Sequence, residues 1–227
     1  MTKKILVSLD DVFGYIHYGI LNHLSKLDDY DFYGFISHEK DIEFFENQTE
    51  IKFSELHYYP KYYMKNSSQP DLDFLKELEI KYELDIWKIA YSERTFLQER
   101  NFFHKFTSNE ILSIIESLSK FYVDFLSRIK PDFIIMQKTG ENLSNFLLYN
   151  ISKSMGIKTI MLVETRLLNS FVFSDDLLIS PLKNEFLKIK NNPPENIKEY
   201  NSEYLENKQS NVVSSFKSVK FGYATTS

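Results

Sequence analysis

Residues 107–163 constrain the fold of this chain more than any other stretch. Thr107 with Glu110 three residues on predicts a capping box, in which each side chain satisfies an amide that the first helical turn leaves free. Ile111, Ile114, Leu118, Phe121, Phe125 and Ile129 then form one apolar stripe at helical spacing. Pro131 ends the helix, because its ring cannot continue one and drives Lys130 toward an extended conformation. Residues 132–137 (DFIIMQ) predict a buried strand. Residues 143–155 predict a helix with Gly156 as its left-handed terminator, and residues 158–163 a further strand. Strand, helix, strand at this spacing implies a parallel pair joined by a right-handed crossover.

The N-terminal residues repeat the pattern. Ile5, Leu6 and Val7 lie in a strand over residues 4–9, which ends at Asp10, Asp11 and Gly14. Ile16, Ile20, Leu24 and Leu27 give the stripe of the following helix, and residues 31–37 a second strand. A short helix at 41–47 and a third strand at 51–53 follow. Residues 54–107 carry a weaker signal. They are expected to form an insertion over one sheet edge, with the tyrosine-rich loop HYYPKYYMKNSSQP, a helix at 71–82 and an aromatic segment around Trp87 and Tyr91. Residues 171–174 and 177–180 flank Asp175 and Asp176 and suggest a hairpin. The chain is expected to be an α/β protein, a Rossmann-like parallel sheet flanked by helices over residues 1–190, followed by a polar linker or tail over 191–227. Its 43% hydrophobic content, with 20 Phe and 15 Tyr, is enough to build the core this requires.

Composition excludes several function classes. With 27 basic against 32 acidic residues the net charge is −5, and no basic run tracks a phosphate backbone, so nucleic acid is not an expected partner. The absence of cysteine removes disulfides, thiolate catalysis and cysteine zinc sites. The five histidines are scattered without metal-ligand spacing, and no cofactor is implied. No segment approaches the roughly 20 apolar residues of a spanning helix, and the N-terminus has no signal-like core. A cytoplasmic location is expected, with peripheral membrane association left open.

Parallel sheets bind ligands beyond the carboxyl ends of their strands. The first such end carries Asp10, Asp11, Gly14 and His17; the second carries Gln137, Lys138, Thr139, Gly140, Glu141 and Asn142; the third carries Glu164, Thr165, Arg166 and Asn169. Asp10 or Asp11 could take the proton of a hydroxyl or accept hydrogen bonds from a sugar, or else cap the next helix. His17 is a candidate base by virtue of its near-neutral pKa, or a partly buried polar residue. Lys138, Thr139, Glu141 and Asn142 suit sugar hydroxyls, and the amides that open the next helix could hold an anionic group or be ordinarily capped. Arg166 could clamp an anion or pair with Glu164. Tyr91, Glu93 and Arg94 could contact a sugar or form a structural ion pair. Tyr58, Tyr59, Tyr62 and Tyr63 could stack on sugar rings or pack locally.

WKIAYSERTF, the capped helix ending in IKPDFIIMQ, then ENLSNFLLYNISKSMGIKTIML and SFVFSDD together resemble the N-terminal portion of capsule polysaccharide biosynthesis glycosyltransferases. That resemblance, over most of residues 1–180, implies the acceptor-side half of a GT-B-like enzyme, in which two Rossmann-like domains face each other. The partners it implies are a glycan acceptor and a nucleotide-sugar donor, the donor site lying on a C-terminal domain not present in this length. It would put Asp10, Asp11 and His17 where related enzymes often hold their base, with Glu141 and Arg166 on the cleft. Independent activity is then not expected. The alternatives are a nucleotide-sugar epimerase-like half-enzyme and a non-catalytic glycan-binding or assembly module.

Overall fold

A computed structural model describes residues 2–63, 69–97, 104–138, 142–164, 171–177, 179–180 and 182–193. The chain divides into two compact units, residues 1–163 with 173–178, and residues 164–172 with 179–227.

In chain order the elements are β1 (Lys3–Leu9), α1 (Asp11–Leu24), β2 (Tyr30–Ile36), α2 (Glu39–Asn47) and β3 (Phe53–Tyr58), then α3 (Leu72–Tyr82), α4 (Ile86–Ser92) and α5 (Ser108–Ile129). They close with β4 (Phe133–Gln137), α6 (Leu143–Ser154), β5 (Lys158–Glu164), β6 (Phe171–Ser174) and α7 (Lys183–Asn191). Short 3-10 turns lie at Tyr59–Tyr62 and Arg94–Phe96. The sheet order is β3-β2-β1-β4-β5-β6, and the pairs β3/β2, β2/β1, β1/β4 and β4/β5 are parallel. This is the expected Rossmann-like α/β architecture. The order runs outward from β1 in both directions, so the boundary between β1 and β4 is the switch point where the connections diverge.

Alternate residues of each strand face opposite sides, and each side has its own core. Leu6, Phe35, Ile134, Met136 and Met161 pack with α3, α4, α5 and α6, whereas Val7, Leu9, Phe32, Ile36, Ile135 and Leu162 pack with α1 and α2. Gly34 lies on the α1 side because a Cβ there would come within 2.4 Å of the Leu56 side chain.

The capping box of α5 forms as the spacing predicts: the Glu110 amide donates to Thr107 Oγ1 at 3.3 Å and the Thr107 amide donates to Glu110 Oε2 at 2.7 Å. Its other end differs. Lys130 is not extended but left-handed (φ 53°, ψ 64°), and its amide donates back to Leu126, which closes the helix before Pro131 takes over. Gly156 terminates α6 with φ +72°.

Three expectations are corrected. The third strand runs from Phe53 to Tyr58 rather than over 51–53. Residues 54–107 do not simply cover an edge: α3 and α4 supply Leu75, Leu78, Tyr82, Ile86 and Ile89 to the core shared with α5 and α6. The hairpin is replaced by a single strand, β6, and Leu177 is buried in the core outside any strand.

At the edge, Glu55 of β3 accepts from both guanidinium nitrogens of Arg128 on α5, at 2.6 and 2.8 Å. His57 Nε2 donates to the same carboxylate at 2.8 Å, while Tyr62 donates to His57 Nδ1 at 3.0 Å. The Arg128 fork holds the Glu55 carboxyl down at about 2.

Candidate functional site

The turn from β1 into α1 is unusually tight. Gly14 sits so close to the end of β1 that a Cβ would lie 2.7 Å from the carbonyl carbon of Leu9, and the Gly14 amide donates to the Asp10 carbonyl at 2.8 Å. Asp11 has φ +47°, a left-handed conformation that an aspartate tolerates better than most side chains. The consequence falls on Asp10. It occupies the N-cap position of α1, yet its side chain makes no capping bond. It is turned instead into a cavity.

That cavity, about 580 Å³, opens at the carboxyl ends of β1, β2, β3 and β4. Asp10 and Asp11 follow β1, Ser37 and His38 follow β2, Tyr59 and Tyr63 follow β3, and Gln137 closes β4. Asn142, Leu143 and Ser144 open α6 on one side, while Glu93, Thr95, Phe96, His104, Phe106 and Glu110 line another. Phe96 and Phe106 meet edge-on at 5.1 Å, giving an apolar wall. The volume suits a small ligand.

Asp10 is 4% exposed. Ser8 donates its hydroxyl to Oδ2, whereas Oδ1 has no hydrogen-bond partner among the described residues. The Ser37 hydroxyl lies near enough to favour the charged carboxylate without meeting it in hydrogen-bonding geometry. Burial dominates and raises the Asp10 pKa, opposed by the Ser8 bond. Ser8 is itself held in place, its carbonyl accepting from His17 Nδ1 at 2.7 Å.

The other acids of the cavity are engaged. Asp11 lies 2.6 Å from His38 Nε2, and Glu110 2.9 Å from His104 Nε2. Glu93 accepts from the Leu143 amide at 3.0 Å and from the Thr95 amide and hydroxyl. Asn142 caps Ser144 and Asn145. The opening amides of α6, expected to be available to an anionic group, are therefore already satisfied by Glu93 and Asn142. Deeper in, the hydroxyls of Tyr122 and Ser144 lie 2.5 Å apart, and burial pushes Tyr63 up to about 12, with the Glu93 charge adding to it.

The candidates named from the sequence separate into groups. Asp10, Asp11, Glu93, Gln137 and Asn142 line the cavity, as do Tyr59 and Tyr63 of the four loop tyrosines. Tyr62 instead stacks on Phe121 at 4.0 Å. His17 is wholly buried on the face of α1 that packs against the sheet; burial lowers its pKa, against the Ser8 bond, and it does not line the cavity. Gly14 serves the tight turn rather than ligand contact. Tyr91 is 74% exposed beside Trp87, and neither Tyr91 nor Arg94 lines the cavity. Lys138 reaches Ser174 at 3.4 Å, and burial lowers its pKa against the nearby charge of Asp176. Glu164 ends β5 and belongs to the second unit. Thr139, Gly140, Glu141, Thr165, Arg166 and Asn169 lie outside the described residues. Ser37 and His38, which follow β2 directly, went unnamed, although the strand-end rule applies to them equally. His104 and Phe106 carry no such signal.

Among the described residues, no group of acidic and histidine side chains is arranged to hold a metal ion, and no helix is long and apolar enough to cross a membrane. Fold and cavity together define a Rossmann-like α/β domain with a ligand-sized site at the switch point of its sheet. No protein-family model matches the chain, and no curated protein matches it either.

Proposed function

We propose that this domain holds the sugar acceptor of a glycosyl transfer, as the acceptor-side half of a capsule-type, GT-B-like glycosyltransferase. The observation that carries the reading is Asp10: a carboxylate buried at the end of β1, steadied by Ser8 on one oxygen, with its other oxygen open to a cavity of hydroxyls and aromatic rings. An acceptor hydroxyl would donate to Oδ1. As its oxygen forms the new bond to the anomeric carbon, its proton passes to Asp10. The departing nucleoside diphosphate takes the electrons of the broken carbon–oxygen bond. A raised pKa makes Asp10 the stronger proton acceptor once ionised.

No lysine or arginine is among the described residues of the lining, so nothing there neutralises a diphosphate. This supports placing the nucleotide-sugar donor on a separate domain, and speaks against the epimerase reading, which needs the nucleotide held alongside the sugar. Saturation-transfer NMR tests the proposal. Neutral and amino monosaccharides should receive saturation from the 227-residue protein, Asp10→Asn should weaken it, and UDP-glucose should receive little. Rapid turnover of a nucleotide sugar by this chain alone would remove the half-enzyme reading.

A further inference from the structure

The cavity lining holds four carboxylates, those of Asp10, Asp11, Glu93 and Glu110. Three have partners on the page: two meet imidazoles and one caps α6. Asp10 alone presents a buried oxygen that nothing in the described structure satisfies. Leaving a buried carboxylate oxygen without a donor is costly, and the cost falls away when a ligand supplies one. A neutral hydroxyl would supply a hydrogen bond. A protonated amine would supply the hydrogen bond and the missing positive charge together, and charge-assisted hydrogen bonds are about twice as strong as neutral ones.

Resting on the acceptor reading above, we infer that the ligand of this cavity is an amino sugar whose protonated amine sits against Oδ1 of Asp10, next to the hydroxyl that reacts. An amine and a hydroxyl on neighbouring ring carbons can share one carboxylate oxygen, which has two lone pairs. The pairing also solves a problem of chemistry. Burial favours the protonated carboxyl, which cannot accept another proton, and the ligand's own cation restores the ionised form that can. The edge-paired rings of Phe96 and Phe106 add apolar surface for the sugar. A uronic acid would bring a further negative charge to a lining already rich in them, so the same site excludes anionic sugars.

The test titrates glucosamine, N-acetylglucosamine, glucose and glucuronate into the full 227-residue chain at neutral pH. Binding is followed by calorimetry, and folding by the dispersion of the amide NMR spectrum. Glucosamine should bind at least about tenfold more tightly than glucose or N-acetylglucosamine, with glucuronate weakest. Asp10→Asn, nearly isosteric, should bring glucosamine to within about twofold of glucose; Asp10→Ser should do the same and guards against a fault peculiar to the amide. Should glucose and glucosamine bind equally well, the amine inference fails and the acceptor reading survives. If the preference for glucosamine persists in both folded variants, the cation sits elsewhere and the assignment to Asp10 is wrong. If none of the four sugars binds the folded protein, both readings fall.

Discussion

Two carboxylates, one at the end of β1 and one on the edge strand β3, differ in how far the fold completes them. Glu55 is finished: Arg128 grips both oxygens and His57 donates to one, so nothing remains for a ligand to do. Asp10 is unfinished. It is far more deeply buried, is given a single donor by Ser8, and faces a cavity with its second oxygen bare. Burial pushes the proton affinity of Asp10 up, while Arg128 pulls that of Glu55 down. A completed charge network ties elements together, and an uncompleted one in a cavity marks where chemistry can enter. The ion pair is the more conspicuous feature. The incomplete residue is the functional candidate.

The largest way to break this contrast is to disturb the turn that aims Asp10. Gly14→Ala puts a methyl group against the Leu9 backbone, where no flexible side chain can yield. It should cost about 2–3 kcal/mol in urea denaturation, the upper range for overpacking, because α1 must lift from the strand. An alanine tolerated without loss would show that the turn relaxes easily and that the aim of Asp10 is not fixed by it.

A smaller, opposite effect is expected of Asp10→Asn. The folded-state pKa of Asp10 lies above its unfolded value, so the folded protein binds a proton more tightly and ionisation of Asp10 works against the fold. Stability contributed by the protonated form is lost as pH rises through the folded value and stays lost above it. Asp10→Asn should therefore be more stable than the parent at pH 7, by about 1–2 kcal/mol, the scale of one buried group short of a partner. The gap should close below about pH 4, where the carboxyl is protonated in both states. Thermal unfolding across this pH range measures it; a variant less stable at pH 7 would mean that the carboxylate is satisfied after all.

How much of this was readable in the sequence depends on how local each cause is. The capping box of α5 involves residues three apart, and Thr107 and Glu110 announce it. The stripe of α1 is a subtler case. Hydropathy picks out Ile16, Ile20, Leu24 and Leu27, but the residues buried on α1 are Gly14, His17 and Leu21, and Leu27 lies exposed beyond its end. A glycine needed for close approach and a histidine bonded to a strand carbonyl hold the buried face, and neither is counted as apolar. β3 was displaced for a related reason: FSELHY mixes polar and apolar residues because it is a half-exposed edge. Asp10 and Asp11 were legible from the strand-end rule, yet which of the two enters the cavity depends on the left-handed turn at Asp11. The tie between Glu93 and the Leu143 amide spans 50 residues and has no periodic trace at all.

The smallest effect belongs to the finished carboxylate, and its sign is opposite to that of Asp10. Glu55 is largely exposed, so solvent screening keeps the net worth of its pairing modest even though its carboxyl is held at about 2. In the unfolded chain it titrates near 4.5, so the stability it lends is present above that value and is lost as pH falls toward 2. Glu55→Gln should lower the melting temperature at pH 7 by about 1–3 °C, with the parent and variant converging near pH 2. High salt should shrink the difference as well, because an exposed pair is screened. The sugar-binding preferences should be untouched, since neither Glu55 nor Arg128 lines the cavity. If Glu55→Gln weakened glucosamine binding as much as Asp10→Asn, the edge network and the cavity would be coupled, and completeness of pairing would no longer separate a structural carboxylate from a functional one.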